Sequence, residues 1–157
     1  MAADANYKSA SAGYQLVVSK KDMTKKKVKL SKTSYIYAGK NCKPKAVVSG
    51  LARSDYKVTY KNADKPGTAI CVITGKGNYS GKIEVPYSIN LAKTVITKIT
   101  NKKSGVSLTW KKVAGAKGYR IYRRTKNGSW KRIRELTSSK KVSFTDKTAK
   151  SGKTYEY

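Results

Sequence analysis

The stretch GTAICVITGKGNYSG, residues 67–81, is an uninterrupted run of small, β-branched and apolar residues from Thr68 to Thr74 that stops at two glycines and an asparagine. Val, Ile and Thr suit a pleated, half-buried surface. Gly75, Gly77 and Asn78 accept the backbone angles a tight turn demands, so the run reads as a strand that ends in a turn. Working outward, segments of similar length recur at Val28–Leu30, Tyr35–Tyr37, Lys45–Val48, Tyr56–Tyr60 and Ile83–Ile89. Gly39, Gly50 and Pro66-Gly67 punctuate them. Six short strands at regular turn spacing predict a β-sandwich over residues 26–92.

A second series follows a change of composition near Asn90–Thr94: Val95–Thr100, Val106–Trp110, Tyr119–Arg124, Trp130–Leu136, Val142–Thr145 and Thr154–Tyr157. These predict a second sandwich over residues 93–157. Asn127-Gly128 lies between two alternating segments and predicts a hairpin with a type I′ turn. Residues 1–25 read as linker, with one apolar run, Tyr14–Val18, able to form a partial strand. The fold class expected is all-β, two sandwiches in tandem.

Lys and Arg number 36 against 8 acids, a formal net charge of +28. Residues 26–92 carry 13 basic and 3 acidic groups, and residues 93–157 carry 19 and 3. Such a chain attracts polyanions, whatever its fold. Lysine predominates, and a compact ammonium is a poorer bidentate reader of phosphates and bases than a guanidinium, which favours a diffuse cationic surface. There is no His, the usual general base near neutral pH and the commonest metal ligand. The acids are few and scattered, and Cys42 and Cys71 are alone and far apart in sequence, which excludes a four-thiolate metal site. The expectation is a protein that is not an enzyme and holds no metal or cofactor. No apolar stretch approaches the roughly 18 residues of a spanning helix.

Two resemblances rest on these motifs. Residues 29–48, KLSKTSYIYAGKNCKPKAVV, and 67–81 resemble the opening strands and the GxGNY turn of bacterial immunoglobulin-like modules of Gram-positive, Clostridia-type cell-surface proteins. SLTWKKVAGAKGYRIYRRTKNGSWKRI, residues 107–133, with FTDKTAKSGKTYEY, residues 144–157, is similar to a bacterial fibronectin type III domain. The second resemblance implies Trp110 as the core tryptophan, Tyr119 and Ile121 as inward residues, and a final strand lacking after Tyr157. Together they imply a non-catalytic structural or adhesion module, extracellular or at the cell surface. MAADANYKSASAG at the start has small residues but no apolar signal-peptide core, so it reads as a mature N-terminus or a boundary left after such a peptide was removed, and export is an expectation.

Three candidate sites follow. Alternation places Cys71 on one face with Ala69 and Ile73 and turns Cys42 inward too. The pair is expected either to bridge, adding about 3–4 kcal/mol by closing a loop of roughly 30 residues, or to stay as two buried thiols. Alternation along the hairpin sends Arg120, Tyr122 and Arg124 to one face and Tyr119, Ile121 and Arg123 to the other, with Lys131, Arg132 and Arg134 on the return strand. Those six residues, Arg120, Tyr122, Arg124, Lys131, Arg132 and Arg134, form a candidate polyanion-binding face, or else a solvated strand surface. Expected partners are anionic polymers of the cell wall or extracellular matrix, with nucleic acid or acidic glycan as the alternative. Thr154–Tyr157 is expected to expose an unpaired edge open to a strand-completing partner or to self-association.

Overall fold

The computed structural model describes residues 13–157, so the first twelve residues of the expected linker lie outside the described part. Among the described residues the regular structure is all strand, apart from one 3-10 turn at Arg53–Asp55. Residues 21–90 supply β1 (Lys21–Asp22), β2 (Val28–Leu30), β3 (Ser34–Ile36), β4 (Ala46–Val48), β5 (Tyr56–Lys61), β6 (Gly67–Gly75), β7 (Tyr79–Ser80) and β8 (Lys82–Asn90). A four-stranded sheet of order β3-β8-β6-β5 is accompanied by the pairs β2-β4 and β1-β7.

The opening stretch occupies the middle of this sheet as β6, antiparallel to both β5 and β8. Its lack of polar alternation has a direct cause: Ala69, Cys71 and Ile73 are fully buried, and Val72 on the opposite face is almost so. A strand covered on both faces gains from apolar residues at every position. Leu30, Val48, Tyr56, Tyr87 and Ile89 complete the core around it.

Three of the twelve tyrosines serve the stretch from Cys42 to Ala46, which leads into β4. Tyr56, Tyr60 and Tyr87, all from the four-stranded sheet, donate their hydroxyls to the carbonyls of Ala46, Pro44 and Cys42 at 3.1, 2.5 and 2.6 Å. Each ring fills core volume while its hydroxyl satisfies a backbone acceptor that an aliphatic side chain would leave unpaired. Burial, with lesser effects from neighbouring titratable groups, pushes the Tyr87 phenol up to about 12.

Residues 96–156 form β9 (Ile96–Lys102), β10 (Gly105–Trp110), β11 (Tyr119–Thr125), β12 (Lys131–Leu136), β13 (Ser143–Asp146) and β14 (Tyr155–Glu156). Two three-stranded sheets result, β13-β10-β9 and β12-β11-β14. Their shared core is Leu108, Trp110, Val113, Tyr119, Ile121 and Leu136. Trp110 and Tyr119 meet edge-to-face at 5.3 Å, and the Val113 amide donates to the Tyr119 hydroxyl at 3.0 Å.

Three local expectations need correction. Tyr14–Val18 is not a strand: it has the composition of one but no neighbour to pair with, and its apolar side chains stand 82–92% exposed. Core structure instead begins later in the stretch read as linker, where β1 runs parallel to β7 and Met23 is fully buried. The hairpin at Asn127-Gly128 exists, but its turn is not type I′, since of the two only Asn127 has a left-handed backbone (φ 63°). Gly128 answers a different demand, because a Cβ there would lie 2.7 Å from Thr125 Oγ1.

Candidate functional site

The β11–β12 pair decides which predicted basic residues act together. Register sets Arg120 opposite Glu135 and Tyr122 opposite Arg132, while Ile121 faces Arg134 and Arg123 faces Lys131, with an irregularity between Ile121 and Tyr122. Directly opposed residues project from the same face of a sheet. Arg120, Tyr122, Arg124 and Arg132 therefore share the outer face, whereas Lys131 and Arg134 stand in register with the inward positions, though both reach solvent. Four of the six candidates are gathered and two are not.

The same face brings acids with it. Arg120 and Arg132 both contact Glu135, at 3.4 and 2.9 Å, and Arg124 grips Glu156 of β14 at 2.5 and 2.7 Å. Three guanidinium groups thus meet two carboxylates, and little uncompensated charge remains on this surface. Exposed pairs of this kind contribute at most about 1 kcal/mol each, but they occupy donors that a polyanion would need. Arg124 also lies over the ring of half-exposed Trp130, 4.6 Å from its centre. Tyr122 is 41% exposed beside it.

Behind this face lies a buried network that sequence reasoning missed. Asp146 is almost fully buried and accepts from Arg123 Nη1 at 2.6 Å, Tyr157 Oη at 2.9 Å, and Thr148 Oγ1 and backbone N at 2.7 and 3.0 Å. Burial alone would raise its pKa. The donors from Thr148, Tyr157 and Arg123 outweigh that and hold the carboxyl below its ordinary value. Burial, then the neighbouring carboxylate, push the Tyr157 phenol up to about 12. Arg123 had the only visible signal, an arginine in phase with Tyr119 and Ile121.

Cys42 and Cys71 both lie in the first core, as alternation requires, and are free thiols. Burial raises the Cys71 thiol, so it behaves as a small apolar side chain. Among the described residues no cluster of His, Cys, Asp or Glu could hold a metal ion, and no helix is long and apolar enough to cross a membrane.

A cleft of about 580 Å³ opens between the two sheets of the second module, lined chiefly by Ile96, Leu108, Trp110, Tyr119, Ile121 and Tyr157. Among the described residues the indole Nε1 of Trp110 is buried with no acceptor. On β11 the ladder with β14 joins Arg124 to Glu156 and Thr125 to Tyr155.

Over the whole of the described residues, ion pairs engage only six Lys or Arg side chains: Lys61, Lys82, Arg120, Arg123, Arg124 and Arg132. Comparison with known proteins adds no assignment: no family model, curated protein or solved structure matches this chain.

Proposed function

We propose that this chain is a non-catalytic structural or adhesion module of an exported bacterial surface protein, and that it associates with anionic wall polymers through a diffuse lysine surface. The observation that supports this reading most is the excess of unpaired cations: 36 basic residues, 8 acids, and six ion-paired basic side chains among the described residues. Ammonium groups spread over two modules attract any polyanion without selecting its sequence. The immunoglobulin-like and fibronectin-like resemblances support a display role, since such modules are built to space and present.

A second reading, an acidic glycan or nucleic acid held on the β11–β12 face, draws support from Arg124 over Trp130 and from exposed Tyr122, which offer stacking beside charge. Titration with teichoic acid, heparin and single-stranded DNA across a salt series separates the two. The diffuse reading expects all three to bind, each losing affinity steeply and alike as salt rises. It also expects the triple variant Arg120→Ser, Arg124→Ser, Arg132→Ser to weaken binding by less than about threefold, because Glu135 and Glu156 already offset much of that charge. A loss above tenfold, confined to one ligand, overturns the diffuse reading in favour of the second. No salt-sensitive binding at all refutes both.

A further inference from the structure

We propose that a polyol-phosphate chain lies along the outer face of the β2–β4 ribbon, held by Lys27, Lys29 and Lys45. This rests on the reading of the chain as a polyanion-associated surface module, and it names the place and the polymer which that reading leaves open.

The ribbon turns one face to the core and the other to solvent. Register sets Val28 opposite Val48, Lys29 opposite Val47 and Leu30 opposite Ala46. The ladder extends at both ends, where the Ser49 amide donates to the Lys27 carbonyl at 2.9 Å and the Ser31 amide to that of Lys45 at 2.8 Å. Leu30, Ala46 and Val48 are buried. Lys27, Lys29, Ser31, Lys45, Val47 and Ser49 therefore face outward, and all six are exposed. Residues two apart on a strand stand about 7 Å apart, and diagonal neighbours across an antiparallel ladder stand about as far. Lys27, Lys29 and Lys45 thus form a row that crosses the ribbon in even steps. Lys26 extends it past the end of β4, with its Nζ 3.6 Å from where a Cβ on Gly50 would stand.

No carboxylate answers this row. Among residues 21–90 the acids are Asp22, Asp55, Asp64 and Glu84. Asp22 accepts from the Thr24 amide and hydroxyl, and Asp55 from the Ala52 amide. Asp64 lies between β5 and β6, and Glu84 pairs with Lys61 and Lys82 on the four-stranded sheet. Among the described residues none of Lys26, Lys27, Lys29 and Lys45 is in an ion pair or lies over an aromatic ring. The outer face of the four-stranded sheet is the contrast, since there Lys57, Lys61 and Lys82 share a face with Glu84. Like charges set side by side without a counter-charge repel, and a bound polyanion relieves that repulsion.

The remaining chemistry of the face selects the polymer. Its outward residues include no arginine to grip a planar carboxylate in two places, and no aromatic ring on which a base could stack. They offer point charges at even spacing, the Ser49 hydroxyl as a donor, and the exposed apolar Val47 in their midst. A flexible aliphatic backbone with one phosphate per repeat meets each of these. Its phosphates take the ammonium groups and the hydroxyl, while its carbons pass over Val47.

The test titrates the full chain with a glycerol-phosphate teichoic acid and compares two triple variants that lose equal charge. One is Lys27→Ser, Lys29→Ser, Lys45→Ser on the ribbon; the other is Lys57→Ser, Lys61→Ser, Lys82→Ser on the four-stranded sheet. All six positions are exposed, so both variants should keep Cys42 and Cys71 protected from alkylation, which shows the first module folded. At about 50 mM salt the ribbon variant should bind about tenfold or more weakly than wild type, and the other less than about threefold. The slope of log affinity against log salt should fall by about one per lost phosphate contact, in the ribbon variant alone. In a second arm, light acetylation of the wild type should be slowed by the polymer at Lys27, Lys29 and Lys45 more than at Lys57, Lys61 and Lys82. Equal losses in the two variants, or equal protection of the two sets of lysines, overturn the proposal and leave the diffuse reading standing. A gap between the variants as large with heparin or single-stranded DNA overturns the choice of polymer. Wild-type protein without salt-sensitive binding overturns both readings.

Discussion

Replacing Asp146 with Ala should unfold the second module while leaving the first intact. The carboxylate is 1% exposed and takes four hydrogen bonds, from Arg123, Tyr157 and two groups of Thr148. Its loss strands the Arg123 guanidinium, whose side chain is only 20% exposed. Breaking one side of such a buried pair costs about 3–5 kcal/mol, as much as a core of this size supplies in total. Acid should produce the same weakening. Because the folded carboxyl titrates below the unfolded value of about 4, its stabilisation is complete above that value and disappears as pH falls through the folded one. The assay is urea unfolding followed by tryptophan fluorescence, which reports the second module alone because both tryptophans lie there. Both cysteines lie in the first module, so thiol protection reports that one independently. Asp146→Ala should lower the fluorescence midpoint drastically and leave the thiols protected. Combining Arg123→Met with Asp146→Val should recover most of the loss, since paired apolar groups leave no stranded charge. A change below about 0.5 kcal/mol for Asp146→Ala, or no recovery in the double variant, would refute the reasoning.

Two further outcomes follow from the packing. Cys42 and Cys71 should resist alkylation in the native protein and react at two equivalents once it is unfolded without reductant; a mass two hydrogens lower and no reaction would show a bridge instead. Gly105→Ala should destabilise the second module by about 2 kcal/mol or more, since Gly105 has φ 124° and its Cβ would sit 2.1 Å from the Asp146 carbonyl oxygen; an unchanged fluorescence midpoint would show that β10 and β13 can separate at no cost.

The longer strands were legible because each carries its own signal: β6 a continuous apolar run, β11 an alternation, β5 and β8 a turn at each end. β1 and β7 were not, since a two-residue ladder has no period to detect and Met23 is a single apolar residue among lysines. Tyr14–Val18 failed in the opposite sense, because composition favours a strand but pairing requires a neighbour. The basic face was half legible. Alternation found Arg120, Tyr122 and Arg124, yet whether Arg132 or Arg134 joins them depends on the irregularity at Ile121/Tyr122 and the length of the turn after Thr125. Glu135 and Glu156 reach the same face only through register and the return of β14, which no local pattern announces. Asp146 was hidden for a similar reason: an acid between Thr145 and Lys147 looks solvated until Arg123 is placed across from it.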